Sequence, residues 1–444
     1  MISFVGQSMR DSSSPLSNTS RLVNWWREPI GQGGKAQFIL RSTLGMSSIG
    51  NTGAVFALDM FEFDGAAFVL MAGNLSQVTG SGVTPIGAVA SGLTGQISRN
   101  AQTVTLATGG LYYTWNGTTL ANVTALPFPN IGSVDYLAGR TVLSEAGGTR
   151  FCWSDIADPA TFNGLNFASA EAREDKIIRL LSVNGILMLF GERSTELWAP
   201  GGAGVNAFTL IGGSVVDRGI KAFGLACKIE GAVFLVGSDG IAYVVAGNSW
   251  QAVSTPAVNT EIMAGDATRC FYWEHRGHKF CAIGFKDRPA WVYCLTTGEW
   301  FERAEGVTKG PWQAAASARI TEGWAIAGNS GAVALLTDIV TDFNGPLLRE
   351  ATSYNVQNDG KWFTLAEVEI LTGAGFSEPA SIMLEIGNGA TFGHVETRQV
   401  GALGDFVKRT VFRAKGRHIN AVARLSMTDP IDLPVFADVN VRLA

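Results

Sequence analysis

Charge is scarce in this chain. Lys, Arg, Asp and Glu make up 16% of its 444 residues, against about a quarter in an ordinary soluble domain. A chain with so few charges is expected to hide surface against partners. Its 33 basic and 38 acidic side chains leave a formal net charge of −5 and no basic block, which excludes tight general binding to nucleic acid. Histidine is rarer still, at four, so general acid–base chemistry would fall to carboxylates that no motif singles out. The five cysteines stand at 152, 227, 270, 281 and 294. Their odd number argues against a disulfide framework, and their apolar surroundings make them buried thiols. No run of about 18 uncharged apolar residues occurs, and "MISFVGQSMRDSSSPLSNTSRLVNWW" has no basic-then-apolar leader order. We therefore expect neither a membrane-spanning segment nor secretion through a signal peptide. Gly-x-Ser-x-Gly, a phosphate-cradling loop and His-Glu-x-x-His are missing too, and so are the Ser-x-Asp-x-Gly-x-Thr-Trp turns of sialidase-like propellers.

What the chain does have is 46% apolar residues and 54 glycines. Residues 233–245, "VFLVGSDGIAYVV", read as two apolar runs of near-equal length around Gly-Ser-Asp-Gly, which is turn chemistry between antiparallel strands. The pattern recurs in "VFALDMFEFDGAAFVLMAG" from Val55, "TVTLATGGLYYTWNG" from Thr103, "VDYLAGRTVLSEAGGTRFCWSD" from Val134 and "SVNGILMLFGERSTELWAP" from Ser182. It returns in the long stretch from Cys270 and in "EGWAIAGNSGAVALLTD" from Glu322. From Val134 onward the units start about 37 to 52 residues apart, mostly near 50, close to the period of four-stranded propeller blades. The high glycine count fits, because hairpin turns need residues that tolerate positive φ.

Three stretches depart from this rhythm. Ser169 to Leu181, "SAEAREDKIIRLL", has a Ser cap before an acidic first turn and predicts one or two helical turns between blades. Residues 72–98, rich in Gly, Ser and Thr, read as an inserted subdomain or a loop packed on a neighbouring subunit, with ordinary interblade strands as the alternative. Residues from Thr341 to Trp362 read as a linker or exposed strand pair, after which five cleanly alternating segments from Phe363 predict an antiparallel β-sandwich. The expected architecture is all-β: an N-terminal arm and docking segment over 1–50, a six-bladed β-propeller over 51–340 with an insertion near 72–98, and a C-terminal sandwich over 341–444. In the arm, Trp25 and Trp26 beside Arg27 form a candidate partner interface, since paired exposed aromatics mark docking surfaces. Core anchoring is the alternative.

Longer stretches of the sequence resemble the tail accessory factor, or packaged DNA stabilization, family of short-tailed phages. The N-terminal match is "RLVNWWREP" followed by "LRSTLGM". The central one runs through "RFCWSDIADPATFNGLNFASAEAREDKIIRLLSVNGILMLFGERSTELWAPGG", "STPAVNTEI", "RGHKFCAIGF" and "WVYCLTTGEWFER". The tail adds "IGNGATFG", "LGDFVKRTVFR" and "ARLSMTDP", with a degraded Asp-Gly-Gly turn. The resemblance implies a structural virion protein, a six-copy ring forming the tail hub or nozzle that extends and closes the DNA exit channel. The implied partners are a head-to-tail adaptor ring below the portal, a tail needle or fibre and spike proteins, and genomic DNA touched transiently and without specificity. The rival reading is a carbohydrate-binding propeller that recognises a host receptor.

The residues that carry the resemblance are Gly191, Ser194, Glu196, Trp198, Gly277, His278 and Trp300, and we expect them to be structural. On a strand, Ser194, Glu196 and Trp198 share one face, where the Glu196 carboxylate is placed to accept backbone N–H groups from a loop. His275 and His278 lie near Cys270 and Cys281 around a turn, a conceivable thiolate–imidazole zinc set, but their spacing matches no metal motif. No catalytic residue, metal or cofactor is expected.

Overall fold

The computed structural model describes residues 5–9, 19–29, 38–201, 207–373, 380–400, 407–430 and 435–443. It is all-β apart from one helix among these residues, Pro256–Met263. Four-stranded antiparallel sheets occupy 57–88, 95–122, 131–169, 177–210, 226–252 and 267–303. A seventh is built from Ala314–Ile320, Gly323–Gly328 and Ala332–Thr337 and completed by Gly45–Asn51. These are blades 1 to 7 of a β-propeller. The first strand of each blade lies innermost, and that of blade 7 packs on that of blade 1 to close the ring. The ring is locked by a strand from the far end of the sequence: Gly45 pairs with Thr337 and Asn51 with Ala332.

The count of seven corrects the expected six. Two features hid the extra blade. Residues 72–98 are no insertion, because Asn74–Thr79 and Gly82–Ala88 are the outer half of blade 1 and Gly95–Asn100 opens blade 2. The fourth strand of blade 7, meanwhile, lies outside the segment assigned to the propeller. The opening motif of the repeat is the middle hairpin of blade 5, Ala232–Val236 against Ala242–Ala246. Its turn is fixed by Asp239, whose carboxylate accepts from Ile241 N at 3.1 Å and from the Tyr243 hydroxyl at 2.6 Å. The helix expected over 169–181 is absent, and Ile177–Val183 is instead the inner strand of blade 4. Ile177, Arg179, Leu180 and Leu181 are all buried there, and that packing outweighs the local cap signal.

The C-terminal sandwich is present, with strands Phe363–Gly373, Ala380–Gly387, Val407–Arg413, Asn420–Met427 and Val435–Leu443 where the alternation placed them. Its sheets are completed by the N-terminal segment. Arg21–Val23 joins Arg349–Thr352 in one sheet and also pairs in parallel with the outer strand of blade 6, through Val23 and Glu302. Trp25–Pro29 and Phe38–Ser42 extend the other sheet. The first 50 residues are therefore no separate arm, and Arg349–Thr352 is a buried central strand rather than a linker. One apolar core, from Trp25, Leu40, Ile370 and Leu425 to Trp273, Phe280 and Trp312, runs unbroken from the sandwich into blades 6 and 7.

Candidate functional site

The residues that carry the resemblance lie at two seams between blades and at the first hairpin turn of blade 6. Gly191 ends the second strand of blade 4 and leads into a turn whose amides converge on Asp175. That carboxylate accepts from Glu192 N at 3.1 Å, from Arg193 N and Ser194 N at 2.8 Å and from Ser194 Oγ at 3.0 Å. A Cβ on Gly191 would sit 2.2 Å from Asp175 Oδ2, so only glycine leaves room for this contact. Two residues on, Glu196 accepts from Ala172 N at 2.9 Å and from Trp198 Nε1 at 2.9 Å. Burial pushes its carboxyl above the usual range. The Trp198 ring meets Phe151 of blade 3 edge-on at 5.0 Å. Asp175 and Glu196 thus fasten the segment that joins blades 3 and 4, a structural use of both acids.

The seam between blades 5 and 6 follows the same logic. Trp300 is fully buried, donates Nε1 to Val253 O at 2.7 Å and packs on Tyr293 at 5.0 Å. Gly277, at φ +75°, forms the tight turn between the first two strands of blade 6. The turn delivers His278 onto Trp26, 4.7 Å between ring centres, and burial lowers the imidazole pKa. His275 lies instead beside Asp338 at 3.4 Å. The imagined zinc set is therefore not brought together, and burial raises the Cys270 and Cys281 thiols well above the range of reactive cysteines.

Of the two readings of Trp25 and Trp26, the docking surface is corrected and core anchoring holds. Trp25 and Trp26 are 0% and 2% exposed, sealed in the core shared by sandwich and propeller. Arg27 is pinned by Glu299 at 2.9 Å and lies 4.0 Å over Phe38. This segment is an internal clasp. Arg21 forks onto Glu302 at 2.8 and 2.6 Å. Asn24, at φ 55°, takes Ala304 N at 2.9 Å and gives Nδ2 to Leu348 O at 2.7 Å. Beneath them Arg303 and Asp342, 1% and 4% exposed, pair at 2.6 Å.

A second polar system, which sequence reasoning missed, lies along the propeller axis. The inner strands are sheet edges, so their backbone groups need partners, and side chains of neighbouring blades supply them. Asp59 of blade 1 accepts from Ile97 N of blade 2 at 2.8 Å. Asp135 of blade 3 accepts from Ser98 Oγ at 3.0 Å and from Ser182 N of blade 4 at 2.7 Å. Lys228 of blade 5 reaches past blade 4 to Asp135 at 2.6 Å. Arg179 of blade 4 donates to Gln96 Oε1 at 3.1 Å and to Ala226 O at 2.7 Å. Beside this network lies a cavity of about 360 Å³, lined among others by Asp59, Gln96, Arg179, Lys228 and Arg269. The signal was there to be read: "ALDMFEF", "SVDYL", "IIRLL", "ACKI" and "ATRCF" each carry a charge inside an apolar inner strand.

A family model described as "Bacteriophage P22 Gp10, beta-propeller" matches residues 9–337. The chain belongs to that family. It is thus a phage structural protein of the group that stabilises packaged DNA, and the match takes in the clasp, all seven blades and every seam residue described above. The sandwich strands beyond 337 lie outside it. No curated protein matches significantly. Among solved structures, the chain is similar to the computationally designed Ika8 protein at 11% identity, over 65% of this chain and 99% of that one, with a TM-score of 0.43. It is similar to Raptor of Chaetomium thermophilum at 12% identity, over 66% and 30%, with a TM-score of 0.43. For PorZ of Porphyromonas gingivalis the figures are 11% identity, 81% and 46%, and 0.40. The aligned regions span less than half of these last two chains.

Proposed function

We propose that this protein is the hub or nozzle of a phage tail, a ring of six copies that extends and closes the DNA exit channel, retains the packaged genome and passes it during ejection. The family match through residues 9–337 carries this reading. The closed propeller axis supports its oligomeric form. Lys228 of blade 5 pairs with Asp135 of blade 3 at 2.6 Å beside that axis, and inner-strand residues of blades 1, 2, 4, 5, 6 and 7 wall the cavity of about 360 Å³. A cavity of that volume has no room for a duplex, whose major groove alone is about 12 Å wide, so in this reading the channel runs between copies. Charge is in keeping: six copies of −5 sum to −30, and a wall with few phosphate ligands lets a duplex slide.

In this reading the ring sits in the virion tail, on the adaptor below the portal, with needle, fibre or spike proteins at its far side. The seams and clasp join propeller and sandwich through one continuous core, which suits a wall under the pressure of packaged DNA. Low-resolution projections of the purified oligomer test the proposal. Six-fold symmetry around a central hole is the expected result. A free monomer that binds glycans and never joins the portal–adaptor complex would replace the nozzle with the carbohydrate-binding reading.

A further inference from the structure

Two buried or part-buried guanidiniums line the axial cavity against one buried carboxylate, Asp59. Arg179 reaches it from blade 4 and Arg269 from blade 6. Arg269 makes a single hydrogen bond among the described residues, Nη2 to Leu93 O at 3.3 Å. Asp59 is the carboxylate whose charge acts on both arginines, and each of its oxygens already takes a backbone amide, Met60 N at 3.0 Å and Ile97 N at 2.8 Å. It forms no ion pair with either guanidinium among the described residues. Gly224 shapes the wall: a Cβ there would lie 2.8 Å from Arg269 Nη1 and 2.9 Å from its Cδ. The bare backbone leaves that space to the guanidinium.

From this geometry we propose that the cavity binds a small oxyanion, a carboxylate or a phosphate, between Arg179 and Arg269. Arg269, with one hydrogen bond, and Arg179, whose Nε and Nη1 are taken and whose Nη2 alone makes none among the described residues, both line the cavity and suit the oxygens of such a group, and the volume of about 360 Å³ falls in the range of small-molecule sites. A part-buried guanidinium that keeps unpaired donors is disfavoured, and an anion supplies their acceptor. Burial and the neighbouring Arg179 lower the Arg269 pKa, the signature of a cation short of compensation. Arg179 also holds Phe223 O at 3.0 Å and Ala226 O at 2.7 Å, so the occupant ties blade 4 to blade 6 across the segment that carries Gly224. This site is independent of the ring reading.

Thermal unfolding and calorimetric titration of the full chain test the site, with sodium phosphate, sodium succinate and sodium chloride at equal ionic strength. The expected result is a saturable rise in Tm of about 2 °C or more with phosphate, succinate or both, and none with chloride. The arm that responds identifies the anion. Arg269→Met should weaken binding at least tenfold, whereas Asp59→Asn, which removes the competing negative charge, should tighten it. A purely structural role for these residues would lower stability in both variants without shifting affinity in opposite directions. Equal stabilisation by chloride, or unchanged affinity in Arg269→Met, overturns the proposal. If Arg269→Met does not fold, Asp59→Asn decides: tighter binding supports the site, and equal or weaker binding overturns it.

Discussion

Replacing Asp135 by alanine strikes the point where four blades meet. Its side chain is 2% exposed and accepts from Ser98 Oγ of blade 2, Ser182 N of blade 4, Lys228 Nζ of blade 5 and Tyr136 N of its own strand, at 2.6 to 3.0 Å. Alanine leaves the Ser98 and Ser182 donors without an acceptor in a buried seam, each worth about 1–3 kcal/mol. Lys228 matters less. Its side chain is 39% exposed, so the ammonium rehydrates and its share is about 1 kcal/mol or less. Together we expect a loss of about 3–5 kcal/mol, and roughly half of that in Asp135→Asn, which keeps one acceptor oxygen. Urea unfolding followed by tryptophan fluorescence measures it as a shift in midpoint at unchanged slope. Pairing Asp135→Ala with Lys228→Ala in a double-mutant cycle should give a coupling of about 1 kcal/mol at most. An Asp135→Ala protein within about 0.5 kcal/mol of the parent would refute the view that axial side chains hold the blades in register.

Gly191→Ala sets a methyl carbon 2.2 Å from Asp175 Oδ2, so unfolding experiments should show a loss of about 1–3 kcal/mol from overpacking. Removal of residues 1–51 strips blade 7 of its fourth strand and the sandwich of three strands. Limited proteolysis should then find no protease-resistant core, and an intact propeller from such a fragment would disprove ring closure by Gly45–Asn51. His278 has its pKa lowered chiefly by burial, with Glu28 opposing. The unfolded chain therefore takes up the proton first, so the stability this residue contributes is complete above pH 6.5 and is lost as pH falls through the lowered folded value. Denaturation midpoints of the parent and of His278→Gln should converge as pH is lowered from 8, and parallel curves would argue against the buried setting of this ring.

Local chemistry was legible wherever neighbours in sequence are neighbours in space. The hairpin around Asp239, the turn at Gly277 and the five strands from Phe363 follow from glycine, turn residues and alternation within a dozen positions. The hidden parts are long-range. Gly45–Asn51 pairs with a strand some 290 residues away, and no local pattern marks a segment as the missing fourth strand of another blade. Trp25 and Trp26 carry the composition of a docking patch. Only the covering strands of the sandwich and blade 6 make them core. The axial acids and bases were visible as lone charges in apolar strands, but their pairing depends on ring geometry: Asp135 and Lys228 are 93 positions apart.

The role we propose is to close a channel that holds DNA. Its most direct test is the DNA content of particles assembled without this subunit, followed over time against complete particles. The account expects heads that package DNA and then lose it, because the conduit below the adaptor has no closed end. Full heads that keep their DNA in the complete absence of the protein, and fail only in adsorption, would contradict it.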